Sequence, residues 1–204
     1  MENNMPLIPG YRVCEYLLVL RPPEELWKKI VQVKEEFAEG YQCAQARWGQ
    51  PHITLAKFVQ YEIVEARIVN KLRMAGMSQY PFKIELHNYG SFPSHTIYIA
   101  ITTKVPVQHL VKQVRSETQR LMKLDDEHKP HFITEPHLTV ARKLQPWQYE
   151  KAWPDYSNKH FTGRFIADGM LLLKRPVNEK KYQIVQRFAF QNLPVTTKQG
   201  ALFA

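Results

Sequence analysis

A seven-residue segment occurs twice in this chain. Pro51-His52-Ile53-Thr54-Leu55-Ala56-Lys57 corresponds position by position to Pro136-His137-Leu138-Thr139-Val140-Ala141-Arg142, 85 residues later, and every difference conserves chemical type. A bare His-x-Thr is a weak signal. The surrounding proline, aliphatics, alanine and basic residue, repeated in order, mark an internal duplication.

The flanks of the two copies repeat as well. Before the first, Tyr16–Leu20 is a short apolar run of strand type ended by Arg21-Pro22-Pro23, after which Leu26, Ile30, Val33 and Phe37 recur at helical spacing. Before the second, Thr96–Ile101 is again a strand, and Pro106 opens a helix striped by Val107, Leu110, Val114, Thr118 and Leu121. Downstream, residues 62–77 read as a helix and residues 82–87 as a half-buried strand. The second copy is followed by a short helix from Gln148 to Trp153, then strand candidates around Phe161–Leu173 and Tyr182–Phe190. Each half is thus βαβαβ-like, and hairpin-like pairs such as 82–87 with 95–101 argue for antiparallel pairing.

The expectation is an α+β fold of two pseudo-symmetric lobes, with antiparallel sheets around a central groove that carries both His-x-Thr motifs. The 204 residues suit a single bilobal domain at roughly 150 residues per domain. Its first repeat spans about residues 11–90 and its second about 95–190, with loose ends at 1–10 and 192–204. No linker-like stretch separates the halves. Apolar residues at 44% and charged residues at 23% exclude disorder of the whole chain. The net charge of +9 favours phosphate-bearing partners. No run approaches the roughly 18 apolar residues of a membrane span, and the first residues lack the pattern of a secretory signal, so a cytoplasmic monomer without membrane contact is expected. Cys14 and Cys43 have no CxxC spacing and read as buried thiols.

In a strand, residues two apart share a face, so His52 with Thr54, and His137 with Thr139, each present an imidazole beside a hydroxyl. Ile53, Leu55, Leu138 and Val140 turn to the other, apolar face. Two such faces across a groove supply a base, an acid and two hydroxyl donors, the set required for in-line displacement at phosphorus. Lys57 and Arg142 lie three residues beyond each threonine, an odd offset that points them away from the threonine face if the strands stay regular.

The paired PHITLAK and PHLTVAR segments resemble the two His-x-Thr motifs of the 2H phosphoesterase superfamily, which includes LigT-like 2'-5' RNA ligases and cyclic nucleotide phosphodiesterases. The resemblance covers roughly residues 11–190 and extends to Phe92-Pro93 and Tyr182. It implies hydrolysis of a 2',3'-cyclic phosphate on RNA ends or nucleotides, or related chemistry at 2'-5' linkages, with neither cofactor nor metal. It implies His52 as proton donor, His137 as proton acceptor, Thr54 and Thr139 beside them, and Tyr182 and Phe92 as base-stacking residues; Lys57 and Arg142, from their place in the repeat, are further candidates for substrate contact. RNA 2'-5' ligation is the alternative reaction, and a nucleotide- or RNA-binding module without turnover is the alternative class. The segment Asp125–His131 departs from the LigT-like pattern and has no assigned role.

Plainer readings stand beside these. Threonine favours strands for its shape alone. Trp48, Trp147 and Trp153 read as core anchors rather than stacking platforms. Tyr182 opens a strand in which Ile184, Phe188 and Phe190 fall at even offsets, so core packing rivals substrate contact. Lys174, Arg175, Lys180 and Lys181 flank a turn and read equally as an RNA path or a solvated hairpin.

Overall fold

A computed structural model of the chain describes residues 10–193. The expectations for residues 1–9 and 194–204 lie outside the described residues. In chain order the elements are β1 (Val13–Leu20), α1 (Glu24–Gly40), a 3-10 turn (Ala44–Arg47), β2 (Ile53–Tyr61), α2 (Glu65–Ser78), β3 (Phe82–Phe92), β4 (Thr96–Ile101), α3 (Lys104–Met122), β5 (His131–Phe132), β6 (His137–Arg142), α4 (Pro146–Asn158), β7 (Thr162–Ala167), β8 (Gly169–Pro176) and β9 (Gln183–Ala189). The fold is α+β. The strands form an antiparallel sheet in the order β7-β3-β4-β6-β2-β1-β8-β9, with β5 added beside β2.

Strands change sides between the two sequence repeats. β3 follows the first motif but pairs with β4, and β8 follows the second motif but pairs with β1. The helices cross as well: α1 packs against β6, while α3 packs against β2. Their apolar stripes are those the spacing predicts, with Ile30 and Phe37 on α1 and Val107, Leu110 and Val114 on α3 fully buried. The strand positions facing the helices, such as Tyr16, Leu18, Ile53, Leu138, Ile97 and Leu172, are buried, while alternate positions are only partly covered.

The two motif strands are not regular, which corrects the simple alternation expected for them. Leu18 pairs with Ala56 and Val19 with Thr54, so Leu55 is an extra residue in β2. Ile97 pairs with Ala141 and Tyr98 with Thr139, so Val140 is an extra residue in β6. Each strand therefore carries a bulge at the same place in the repeated segment, and a bulge resets the alternation of faces. The two segments have identical burial: the proline, the aliphatic between His and Thr, and the two residues after Thr are buried, His and Thr are half-buried, and the basic residue is exposed. Lys57 and Arg142 consequently return to the histidine and threonine face.

Both bulges have their freed carbonyls satisfied, as buried backbone oxygens require. Leu55 O accepts from Ile133 N at 3.0 Å. Val140 O accepts from Lys34 Nζ at 3.1 Å, the buried ammonium reaching across from α1. Burial, with the Arg142 cation adding to it, lowers the Lys34 pKa to about 8.

Other departures from the sequence reading have local causes. The strand candidate at 161–173 is two strands, β7 and β8, that lie near opposite ends of the sheet. The chain breaks at Asp168-Gly169, where a Cβ on Gly169 would stand 2.6 Å from Phe188 O, so glycine lets β8 and β9 approach. Helix α4 continues past Pro154 to Asn158 because Ala152 and Tyr156 are buried on one side of it. β9 has its own register shift: Leu172 pairs with Gln186 and Leu173 with Ile184, which leaves Ile184 62% exposed while Phe188 is buried. That shift removes the even-offset argument for packing Tyr182 in the core. Trp48 is 75% and Trp147 49% exposed, so neither is a core anchor, whereas Trp153 packs against the core as expected. Asn192 and Leu193 are held by backbone bonds to Gln79 O and Met77 O rather than loose. Cys14 and Cys43 are buried free thiols.

Two outcomes are expected. Gly169→Ala should lower stability by about 1–3 kcal/mol through overpacking against the β9 backbone, seen as a lower denaturant midpoint, while Gly40→Ala, whose Cβ meets nothing within 4 Å, should cost nothing; equal midpoints for the two would refute the close approach. For Lys34, the unfolded chain holds more protons than the folded one between pH about 8 and the unperturbed value of about 10.4. Wild-type stability relative to Lys34→Met should therefore rise by about 3 kcal/mol across that window, and a flat difference would place the ammonium in water.

Candidate active site

β2 and β6 meet at a single pair among the described residues, Ile53 with Leu138. Continuing that antiparallel register by one residue sets His52 opposite Thr139 and His137 opposite Thr54. Each imidazole thus has one threonine two residues along its own strand and a second across the seam. The two histidines and two threonines singled out in the sequence converge on one place.

The rings are fixed in the same way. His52 Nδ1 lies 2.7 Å from Gln50 O, and His137 Nδ1 lies 2.8 Å from Glu135 O. A carbonyl only accepts, so each Nδ1 carries a proton and donates it, which leaves Nε2 as the nitrogen free to exchange one. Burial holds both pKa values below the ordinary imidazole range. The neighbours differ, however. At His52 the cations Lys34 and Arg142 add to the lowering, along with His137, and the hydrogen bond to Gln50 opposes it. At His137 the hydrogen bond to Glu135 and the charge of its carboxylate both oppose the effect of burial.

The walls differ too. Phe92 stands edge-on to His137 with ring centroids 4.9 Å apart, and Tyr98 lies 5.2 Å from the same imidazole and 4.8 Å from Phe92. Gly90, paired with Tyr98 across the strands, admits that ring: a Cβ there would come within 2.5 Å of it. On the His52 side the corresponding ladder positions are Val19, Leu171 and Leu173, all aliphatic. One half of the site is an aromatic cup and the other is smooth.

Phe92, which the resemblance assigns toward substrate, stands beside His137. Tyr98 was missed, although its position in Thr96–Ile101, alternating with the buried Ile97, Ile99 and Ile101, marks it as facing away from the core. Tyr182 and Lys57 belong to a second cluster, on the other flank of the motif strands. Glu15 on β1 accepts from the Tyr182 hydroxyl, bonds Arg175 at 3.1 Å and pairs with Lys57 at 3.3 Å, while the Arg175 guanidinium lies 4.8 Å from the Tyr182 ring centre. Burial pushes the Glu15 carboxyl up, but Tyr182, Arg175 and Lys57 together outweigh it and hold the group ionised below the usual range. Arg142 is exposed and has no carboxylate within 4.0 Å among the described residues. Of the remaining basic group, Lys174 turns to the helix side, where Glu62 and Glu65 hold it at 2.6 and 2.8 Å, and Lys180 and Lys181 are exposed. No group of three or more His, Cys, Asp or Glu side chains placed to hold a metal ion occurs among the described residues.

No helix among the described residues is long and apolar enough to cross a membrane. Comparison with known proteins agrees with this architecture. The structure superimposes on Escherichia coli LigT complexed with 3'-AMP with a TM-score of 0.59 at 15% identity, covering 87% of this chain and 98% of the other. It superimposes on TT0787 of Thermus thermophilus with a TM-score of 0.58 at 16% identity, covering 87% and 98%. E. coli LigT complexed with NADP+ gives 0.56 at 16% identity, covering 88% and 99%. No curated protein matches the sequence. At these identities the structures speak to the fold alone, but the profile of the 2'-5' RNA ligase superfamily matches residues 22–179, and on that match the chain belongs to this superfamily.

Proposed function

We propose that the protein is a phosphodiesterase that opens 2',3'-cyclic phosphates at RNA ends or on nucleotides, with His52 and His137 exchanging protons and Thr54 and Thr139 binding the phosphoryl oxygens. The observation that carries this reading is the matched pair of imidazoles, each tied through Nδ1 to the carbonyl two residues upstream and set on either side of the Ile53–Leu138 seam. In the reaction a water oxygen attacks phosphorus while one Nε2 takes its proton. The bond from phosphorus to one ribose oxygen breaks, and the other imidazole delivers a proton to that oxygen. The threonine hydroxyls donate to the non-bridging oxygens as negative charge grows there. Tyr98 and Phe92 form a wall against which a base or ribose can rest. The complexes of E. coli LigT with 3'-AMP and NADP+ support a nucleotide as the bound class. Ligation at a 2'-5' linkage would use the same four groups, with a ribose hydroxyl in place of water.

The resemblance assigns His52 as proton donor and His137 as acceptor. One observation favours the converse: Lys34 and Arg142 disfavour an imidazolium at His52, while Glu135 favours one at His137. On this second reading the resting proton sits on His137.

Hydrolysis of a 2',3'-cyclic mononucleotide in excess EDTA is expected to fall about 10²- to 10⁴-fold in His52→Ala and in His137→Ala, and about 10²-fold or more in Thr54→Ala or Thr139→Ala if each hydroxyl acts as a preorganised donor. The profile of kcat/KM against pH should be bell-shaped. Because burial lowers both imidazole pKa values, its centre should lie below about 6.5, the free imidazole value. Absence of wild-type turnover, or full activity in either histidine variant, refutes the reading.

A phosphodiester with a nitrophenolate leaving group, which needs no acid, separates the two polarities. Rescue of His137→Ala but not His52→Ala is expected; rescue of His52→Ala instead would restore the polarity implied by the resemblance.

A further inference from the structure

Beyond the catalytic groove, α3 and the segment leading into β5 enclose a surface groove of about 510 Å³, a size typical of ligand sites. Its lining includes Arg115, Arg120, Lys123, Lys129, His131 and Phe132, and no carboxylate. Arg115, Gln119 and Lys123 fall at intervals of four along α3 and its C-terminal cap and so lie in one row, with Arg120 beside it. Arg115, Arg120 and Lys129 have no carboxylate within 4.0 Å among the described residues, whereas Lys123 pairs with Asp126. In the adjoining turn Asp125 is turned to the turn itself, accepting from the backbone N–H groups of Glu127 and His128 and from the His128 ring. Unpaired cations gathered on one surface are what a chain of phosphates requires.

This groove adjoins the candidate active site. His131 on β5 pairs with Lys57 on β2, and the bulge at Leu55 returns Lys57 to the face of Thr54 and His52. Adjacent strands are about 4.8 Å apart, and Lys57 lies about 7–10 Å along β2 from Thr54. His131, paired with Lys57, shares its face, while Phe132, paired with the buried Ala56, turns toward α3, so a strand leaving the catalytic phosphate along β2 passes Lys57 and His131 and crosses the edge of β5 to reach the row of arginines. Phe132, with the Arg115 guanidinium 6.0 Å from its ring centre, adds an aromatic surface of the kind on which unpaired bases stack.

We propose that the groove between α3 and β5 binds the backbone of a single-stranded RNA whose terminal phosphate lies between His52 and His137, so that the protein acts on oligonucleotide ends in preference to free nucleotides. The proposal rests on the catalytic reading above for the placement of the RNA end. The basic groove itself stands independently of it.

The test compares a 2',3'-cyclic mononucleotide with an oligoribonucleotide of about eight residues carrying the same terminus, using wild type and an Arg115→Ala/Arg120→Ala variant. Both arginines are solvent-exposed, so the variant should fold. Its kcat/KM on the oligomer should fall at least about tenfold through KM, with mononucleotide kinetics unchanged. The slope of log kcat/KM against log salt should flatten by about 1.4, since each phosphate contact on a single strand contributes about 0.7. Equal losses on both substrates, or on neither, would overturn the proposal. If wild type turns over neither substrate, the catalytic reading fails and binding of a fluorescently labelled oligomer decides the groove. Weaker binding by the variant with a flatter salt slope supports it, and unchanged binding overturns it. Competition by polyglutamate as effective as that by RNA would also overturn it, assigning the groove to acidic polypeptides.

Discussion

Side chains on a β-strand alternate, so a regular strand cannot place histidine, threonine and, three residues later, a basic group on one face. One extra residue in each motif strand removes that obstacle. The bulges at Leu55 and Val140 bury two consecutive side chains and return Lys57 and Arg142 to the side of the imidazoles. They also release two carbonyls, and the neighbouring elements are placed to satisfy them: β5 lies against β2 so that Ile133 N meets Leu55 O, and α1 sends Lys34 under β6 to Val140 O. The second solution puts a cation beneath His52. A backbone irregularity thereby sets the electrostatics of the site above it.

The frame is symmetric and its contents are not. The same segment, the same bulge and the same anchoring of Nδ1 appear twice, the arrangement that the proposed in-line displacement would use on the two sides of phosphorus. Around them the ladder positions hold Tyr98, Gly90 and Phe92 on one side and Val19, Leu171 and Leu173 on the other. The charges divide likewise, with cations by His52 and the Glu135 carboxylate by His137. Attack and departure are different events, and under the proposed reaction these differences would let the two histidines take separate roles.

Much of this was legible in the sequence for a physical reason: burial imposes periodicity, and duplication doubles the signal. The α1 and α3 stripes, the antiparallel pairing of β3 with β4, and the convergence of His52 and His137 all follow from spacing, although β4 is paired mainly by residues 89–92 while 82–87 pair with β7. What was hidden depends on contacts between distant segments. A bulge leaves no mark on composition, so simple alternation put Lys57 and Arg142 on the wrong face and gave Tyr182 a false even-offset match to the core positions of β9. Lys34 looks like an ordinary charged residue on a helix until β6 is laid over it. The break at Asp168-Gly169 is visible only once β9 approaches to within van der Waals distance. Trp48 read as a core residue because size and apolarity favour burial, yet it sits in the short loop between the 3-10 turn and the first motif, where no element covers it.

The exchange of strands between the repeats ties the two halves into one unit. β3 finds its partner in β4, and β8 finds its partner in β1. Each repeat is therefore incomplete alone, because the strand that would cover the outer edge of β1 or of β4 comes from the other half. The two histidines are held together by this exchange as well as by the short seam between β2 and β6.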